Sequence, residues 1–157
     1  MVKKSYQVQM HANSAKTAKA IAVNRPVSLK YSLEIISNIK GKRLDKSLAW
    51  LGRILRKEEF LPLRVYNKKV PHRKGEAKMF AKAGRYPMRV LDAFVELLNT
   101  VKANADYKGL DSENLLITHA FASQGFQRMS NQSQGRISGK GKKAKSCHLE
   151  IIVREAR

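Results

Sequence analysis

Two stretches of alternating apolar residues, set on either side of a polar and strongly basic segment, restrict this chain more than any other feature. In the first, Leu115, Ile117, His119 and Phe121 alternate with Leu116, Thr118, Ala120 and Ala122. In the second, Leu149, Ile151 and Val153 alternate with His148, Glu150 and Ile152. Successive side chains of a strand point to opposite faces, so both patterns predict strands. Between them, residues 128–146 hold three Gly and six Lys/Arg, with no acidic and no aromatic residue. That composition buries too little apolar surface to order itself, yet strands on both sides hold its ends together. The pattern therefore predicts a hairpin extension over residues 123–145, standing on a body built from residues 1–122 and 146–157. At about 3.3 Å per residue, a hairpin from Leu115 to a tip near Gly135 reaches roughly 60 Å. A basic arm of that length needs an anionic surface to lie against. A solvated loop in an ordinary domain is the alternative that the segment alone leaves open.

The rest of the chain tips that balance. Over 157 residues, 32 Lys/Arg oppose 12 Asp/Glu, a net charge of +20, and the pI is near 10.4. Such an excess is the electrostatic footprint of a nucleic-acid partner. An anionic membrane would attract it too, but the cations are spread along the chain rather than gathered on one amphipathic helix, and no stretch has transmembrane length. The first ten residues lack the apolar core of a signal peptide. The single cysteine, Cys147, excludes an internal disulfide and fits a reducing compartment. Four scattered His with one Cys give no zinc-ligand spacing. The expectation is a cytosolic or nuclear protein that binds a polyanion and needs neither metal nor cofactor.

Tyr6, Val8 and Met10 alternate with Ser5, Gln7 and Gln9, predicting a short first strand. The small and basic residues 13–28 then read as an irregular surface segment, with Lys16, Lys19 and Arg25 as candidate phosphate contacts. A first helix is predicted from Ser28, an N-cap residue type, to Lys40, with Leu29, Leu33, Ile36 and Ile39 as its stripe and Gly41 as its stop. A second follows closely, capped by Asp45, with Leu44, Leu48, Leu51 and Leu55 on one face. Trp50 beside that stripe reads as core rather than as a platform for a base. Residues 63–87 break all periodicity. They carry eight Lys/Arg between Arg64 and Arg85 against one acid, Glu76, with Tyr66, Phe80 and Tyr86 interleaved. Cations among aromatics suit unpaired RNA, whose bases stack on ring and guanidinium planes; Tyr66 and Tyr86 serve equally as packing anchors for the loop. Candidate contacts are Arg64, Tyr66, Asn67, Lys68, Lys69, His72, Arg73, Lys74, Arg85 and Tyr86. Pro87 opens a third, longest helix with Val90, Phe94, Leu97 and Val101 on its core face, widened by Leu91 and Leu98, and Gly109 ends it. The sum is an α+β fold: three helices packed on a small, mainly antiparallel sheet made from the first strand and two hairpin strands, with a long extended β-hairpin near the C-terminus.

Catalytic constellations are missing. No Ser/His/Asp set, paired-carboxylate site or strand-to-helix phosphate loop assembles. His119 reads as a packed or hydrogen-bonded strand residue. Cys147 and His148 are adjacent on a strand and so face opposite sides, which denies them a nucleophile–base geometry. The chain is expected not to be an enzyme. Two competing readings are a DNA-binding or architectural protein, with Lys46, Arg53, Arg56 and Lys57 on a recognition helix, and a free RNA chaperone.

Several motifs, in order along nearly the whole chain, resemble one family. They are residues 15–20 (AKTAKA), 27–51 (VSLKYSLEIISNIKGKRLDKSLAWL), 62–67 (PLRVYN), 84–87 (GRYP), 103–111 (ANADYKGLD), 135–137 (GRI) and 147–153 (CHLEIIV). Together they resemble the universal large-subunit ribosomal protein L twenty-two, in its archaeal and eukaryotic cytosolic form, called L seventeen in eukaryotes. The resemblance implies a structural constituent of the large ribosomal subunit, with its body near the tunnel exit and its hairpin lining the nascent-peptide tunnel. It implies large-subunit rRNA, neighbouring ribosomal proteins and the nascent polypeptide as partners, and neither a membrane nor a homo-oligomer. It implies a place in the cytosolic ribosome, with nucleolar assembly in a eukaryote. On the arm, Arg128, Arg136, Lys140, Lys142, Lys143 and Lys145 become candidate rRNA contacts. Met129, Ser130, Asn131, Gln132, Ser133, Gln134 and Gly135 become the tunnel-lining tip. The tip departs from the family pattern: it is polar with few charges, and residues 139–145 read as a small insertion in the return strand.

Overall fold

The computed structural model describes residues 5–8, 15–74, 81–136 and 138–156. Both alternating runs are strands of one sheet, as their patterns predict. The first is β4 (Leu115–Gln124) and the second β7 (Cys147–Glu155), paired antiparallel. The other edge of β7 pairs with a strand that the sequence reading placed elsewhere, β1 (Thr17–Arg25), giving the order β1-β7-β4. The helices are α1 (Leu29–Ile39), α2 (Leu44–Leu55) and α3 (Met88–Tyr107). Two-residue strands β2 (Leu61–Pro62) and β3 (Gly84–Arg85) close the base of the basic loop. Beyond the sheet, β5 (Arg128–Asn131) and β6 (Gly141–Ala144) form a separate two-stranded ribbon. This is an α+β architecture with three helices, a small antiparallel sheet and a C-terminal hairpin.

One face of the sheet is core. Ala18 and Ala20 of β1, Leu149, Ile151 and Val153 of β7, and Leu115, Ile117, Ala120 and Ala122 of β4 are buried in one cluster with the helices. Val90, Leu91, Phe94, Leu97, Leu98 and Val101 of α3 are all buried in it, so the predicted stripe is right at every position. Each such side chain contributes about 1.5–3 kcal/mol of transfer free energy when taken from water. On α1 the buried face turns further than predicted: Ile35, Ile36 and Ile39 are buried, while Leu29 and Leu33 pack only partly. Trp50 packs partly against the core, as expected. Gly41 takes φ +78°, the left-handed conformation that ends a helix. Its N–H donates to the Ile117 carbonyl at 2.8 Å, and Ile117 N–H donates to the Lys42 carbonyl at 3.0 Å. The turn between α1 and α2 thereby covers part of the open edge of β4, which protects it from stray pairing.

Four readings need correction. Residues 5–8 form no strand, and Met10 lies outside the described residues. The third strand comes instead from within the segment read as irregular. Its inward residues are alanines, small enough to let α3 approach but too weakly apolar to announce a period of two. The alternation in β4 also fails at Thr118, where a bulge shifts the register between Ile117 and His119. One extra residue reverses which face the following side chains take, so Ala120 and Ala122 enter the core and Phe121 faces outward. Asp45 is not an N-cap: α2 starts at Leu44 after Arg43, whose extended backbone is set by its bridge to Leu116. Asp45 instead accepts from Lys102 Nζ at 3.0 Å. Ser28 does hold the N-cap position of α1, but its side chain makes no capping bond.

The outer face of the sheet carries a buried carboxylate. Glu150 on β7 pairs with His119 Nε2 at 3.0 Å and accepts the Gln7 N–H at 3.2 and 3.3 Å. His119 is thus hydrogen-bonded, as its strand position suggested. Burial, and secondarily the Glu150 charge, push the neighbouring Tyr6 phenol above its ordinary range. Cys147 is buried, its Sγ donates to the Val27 carbonyl at 3.4 Å, and burial raises its thiol above the usual value.

Candidate nucleic-acid interface

The predicted contacts fall on three parts of the molecule. Just before β1, Lys16 is exposed; on β1, Lys19 is half-buried, its Nζ 5.2 Å from the centroid of the Tyr6 ring. Arg25 pairs with Glu96 on α3, so part of its charge is already answered inside the body.

The second part is the loop between β2 and β3. Arg64, Asn67, Lys68, Lys69, His72 and Lys74 are exposed, and Val65 is 73% exposed. What gives this polar loop its shape is a residue the sequence reading missed. Glu34 on α1 is only 2% exposed, and its Oε1 accepts N–H bonds from Val65 and Tyr66, both at 2.9 Å. The Arg64 N–H reaches both its carboxylate oxygens at 3.2 Å. A buried carboxylate needs such partners, and here they are three consecutive backbone donors. Lys30 Nζ lies 5.4 Å from the Tyr66 centroid. Farther along, Arg73 sits 5.6 Å from the Tyr86 centroid and its Nε donates to the Gly84 carbonyl at 3.2 Å. Tyr86 packs against the core while Tyr66 is half-buried, so both anchor the loop and keep part of each ring exposed. Arg85 is half-buried on β3. Arg64, Asn67 and His72 line one side of a shallow cleft of about 380 Å³. Glu76 and Phe80 lie outside the described residues.

The third part is the arm. Every residue of β5 and β6 is exposed. Arg128 pairs with Ala144, Met129 with Lys143, Ser130 with Lys142 and Asn131 with Gly141. Cross-strand partners share a face and alternate along the strand, which puts cations on both faces of the ribbon. Gln132 N–H donates to Lys140 and Gly139 N–H to Gln132, at 3.1 and 2.8 Å, closing a turn that contains Ser133, Gln134, Gly135 and Arg136. The arm has a ladder separate from that of the sheet. It joins through a knuckle at Gly125, whose N–H donates to the Ser146 carbonyl at 2.8 Å.

Recognition-helix chemistry is weak by contrast. Arg53 pairs with Glu59 at 2.7 Å and Arg56 with Glu58 at 2.6 Å, so half of that helix's candidate cations already face acids. The Arg56 hydrogen bond holds the Glu58 carboxyl below its ordinary range. Among the described residues no cluster of His, Cys, Asp and Glu could hold a metal, and no helix is long and apolar enough to cross a membrane.

Comparison with known proteins adds to this geometry. Residues 20–154 match the family described as Ribosomal protein L22p/L17e. A protein of Methanococcus vannielii named large ribosomal subunit protein uL22 is 38% identical over 157 residues, covering 99% of each chain. The protein of that name from Methanocaldococcus jannaschii is 36% identical, covering 99% of this chain and 97% of its own. That from Ignicoccus hospitalis is 38% identical over 146 residues, covering 91% of both. A body and arm of this shape, with sequence likeness along nearly their whole length, leave one conclusion: the chain belongs to the ribosomal protein L22p/L17e family, whose members are structural, non-enzymatic proteins.

Proposed function

We propose that this protein is a permanent component of the large ribosomal subunit that binds large-subunit rRNA through all three basic parts of its surface. The body, residues 1–122 with 146–157, is the anchor near the tunnel exit. The extension, residues 123–145, lines the nascent-peptide tunnel. One observation carries this reading: a two-stranded ribbon with every residue exposed, in a segment with six Lys/Arg and no acid. An isolated two-stranded hairpin is marginal in water, and cations on both its faces suit a site surrounded by phosphates. Phosphate contacts dominate such affinity and make it fall with salt.

The tip offers Met129, Ser130, Asn131, Gln132, Ser133 and Gln134 to a passing nascent chain, a wall more neutral than the family pattern. The neighbours are rRNA and other large-subunit proteins in the cytosolic ribosome. Sedimentation of lysate through a sucrose gradient, before and after a high-salt wash, tests the reading. One copy per large subunit, retained through the wash, is the expected result. Release into light fractions would point to a dissociable RNA or DNA binder instead.

A further inference from the structure

The knuckle where the arm leaves the body encloses a cleft of about 590 Å³, lined by Asn24, Pro26, Phe126, Arg128, Lys145 and Ser146. Its size falls within the range of small-ligand pockets. Phe126 is 68% exposed, a large apolar ring left in water, whereas Phe60 and Phe94 are buried. Its backbone is nonetheless fixed at both ends. Asn24 Oδ1 accepts the Phe126 N–H at 3.1 Å, and the Phe126 carbonyl accepts from Ser146 Oγ at 2.7 Å. Asn24 reaches this position from a left-handed conformation, φ +54°, uncommon for a residue other than glycine. Gly125, just before Phe126, leaves room for these bonds: a Cβ there would meet Ser146 Oγ at 2.5 Å and Asn24 Oδ1 at 2.7 Å and would push them aside. Asn24 and Ser146 thus hold the backbone of a residue whose ring is left exposed.

Arg128 and Lys145 stand beside that ring, and neither forms an ion pair among the described residues. No acidic residue lines the cleft. The Asn24 backbone N–H donates to His148 Nδ1 at 3.2 Å and its Oδ1 is committed, while its side-chain Nδ2 donates to nothing among the described residues. A lone phosphate would leave the ring unused, and an apolar side chain would leave both cations unused. An unpaired nucleotide uses all of them: its base stacks on Phe126 with Pro26 as a second wall, and its phosphates meet Arg128 and Lys145.

We infer that this cleft is a binding site for a single unpaired nucleotide of rRNA, held by stacking on Phe126 and fixing the angle at which the arm leaves the body. The inference rests on the rRNA-binding reading above, so the test separates the two. Binding of the full chain is measured to purified large-subunit rRNA and to heparin, a polyanion without bases. Stacking on one base corresponds to about a five- to 150-fold change in affinity. F126A, and F126L which keeps apolar bulk, should each lose that much affinity for rRNA, with heparin affinity and the salt slope unchanged. F126W, which keeps a stacking plane, should retain it. Equal rRNA affinity in F126A and the parent would overturn the cleft and leave the rRNA reading standing. A parent chain that binds rRNA no better than heparin would overturn both.

Discussion

The sheet and the ribbon beyond it are built from the same hairpin, with the same antiparallel ladder, and they differ in almost everything that gives a ladder its stability. Between β4 and β7, cross-strand partners such as Ile117 with Val153 and Ala120 with Ile151 are buried in the core beneath the helices. Between β5 and β6, partners such as Met129 with Lys143 and Ser130 with Lys142 are all exposed. Backbone hydrogen bonds add little net stability when water can replace them, so the first pair is held by burial and the second has nothing comparable of its own. One half of the hairpin is thus ordered by burial in the body, and the other half has no such burial to order it. That difference also explains why the arm can be polar and basic without harm to the fold.

Three variants test this division, in falling order of their effect on folding. F94A should cost about 3–5 kcal/mol, because it opens a cavity where α3 meets the sheet; denaturant unfolding reads it, and a much smaller loss would mean the core is not centred there. E34A should cost about 1–3 kcal/mol, by leaving the N–H groups of Arg64, Val65 and Tyr66 without their acceptor. It should also weaken rRNA binding, since the loop that carries Lys68 and Lys69 loses its shape; an unchanged rRNA affinity would separate the loop from the interface. Replacing Lys140, Lys142, Lys143 and Lys145 together by Ala should move stability by no more than about 0.5 kcal/mol. Its effect belongs to binding: the slope of log affinity against log salt should flatten by about 3. A clear loss of stability there would erase the contrast between ribbon and sheet.

The same contrast governs what could be read in the sequence. The stripe of α3 and the strand β7 were legible because large apolar side chains mark their periods. β1 was not, because Ala18, Ala20 and Ala22 signal neither strand nor core until α3 lies over them. The bulge at Thr118 depends on how β4 meets β7, and no single-strand pattern holds that information. The exposed cations of the candidate interface were visible from charge alone. The residues that shape the basic loop and the arm's junction, Glu34 and Asn24, were invisible because each acts on backbone far away in sequence. Phe126 carried a faint signal, an aromatic directly after a glycine at the end of an apolar strand.

The strand order has a consequence for how the chain comes to be folded at all. β1 and β4 do not touch in the sheet; each pairs only with β7, the last of the strands in chain order. During synthesis, β1 emerges first and then waits for nearly the whole of the rest of the chain before its partner exists. At about 5–20 residues per second, that wait is on the order of ten seconds, with one strand edge open and an excess of positive charge already on display. The helices can form and pack early, since their contacts are local. The sheet cannot. A newborn copy is therefore sticky in two ways, by its unpaired strand and by its charge, until β7 threads between its neighbours. Only when β7 is made do the open strand edge of β1 and that of β4 find their partner.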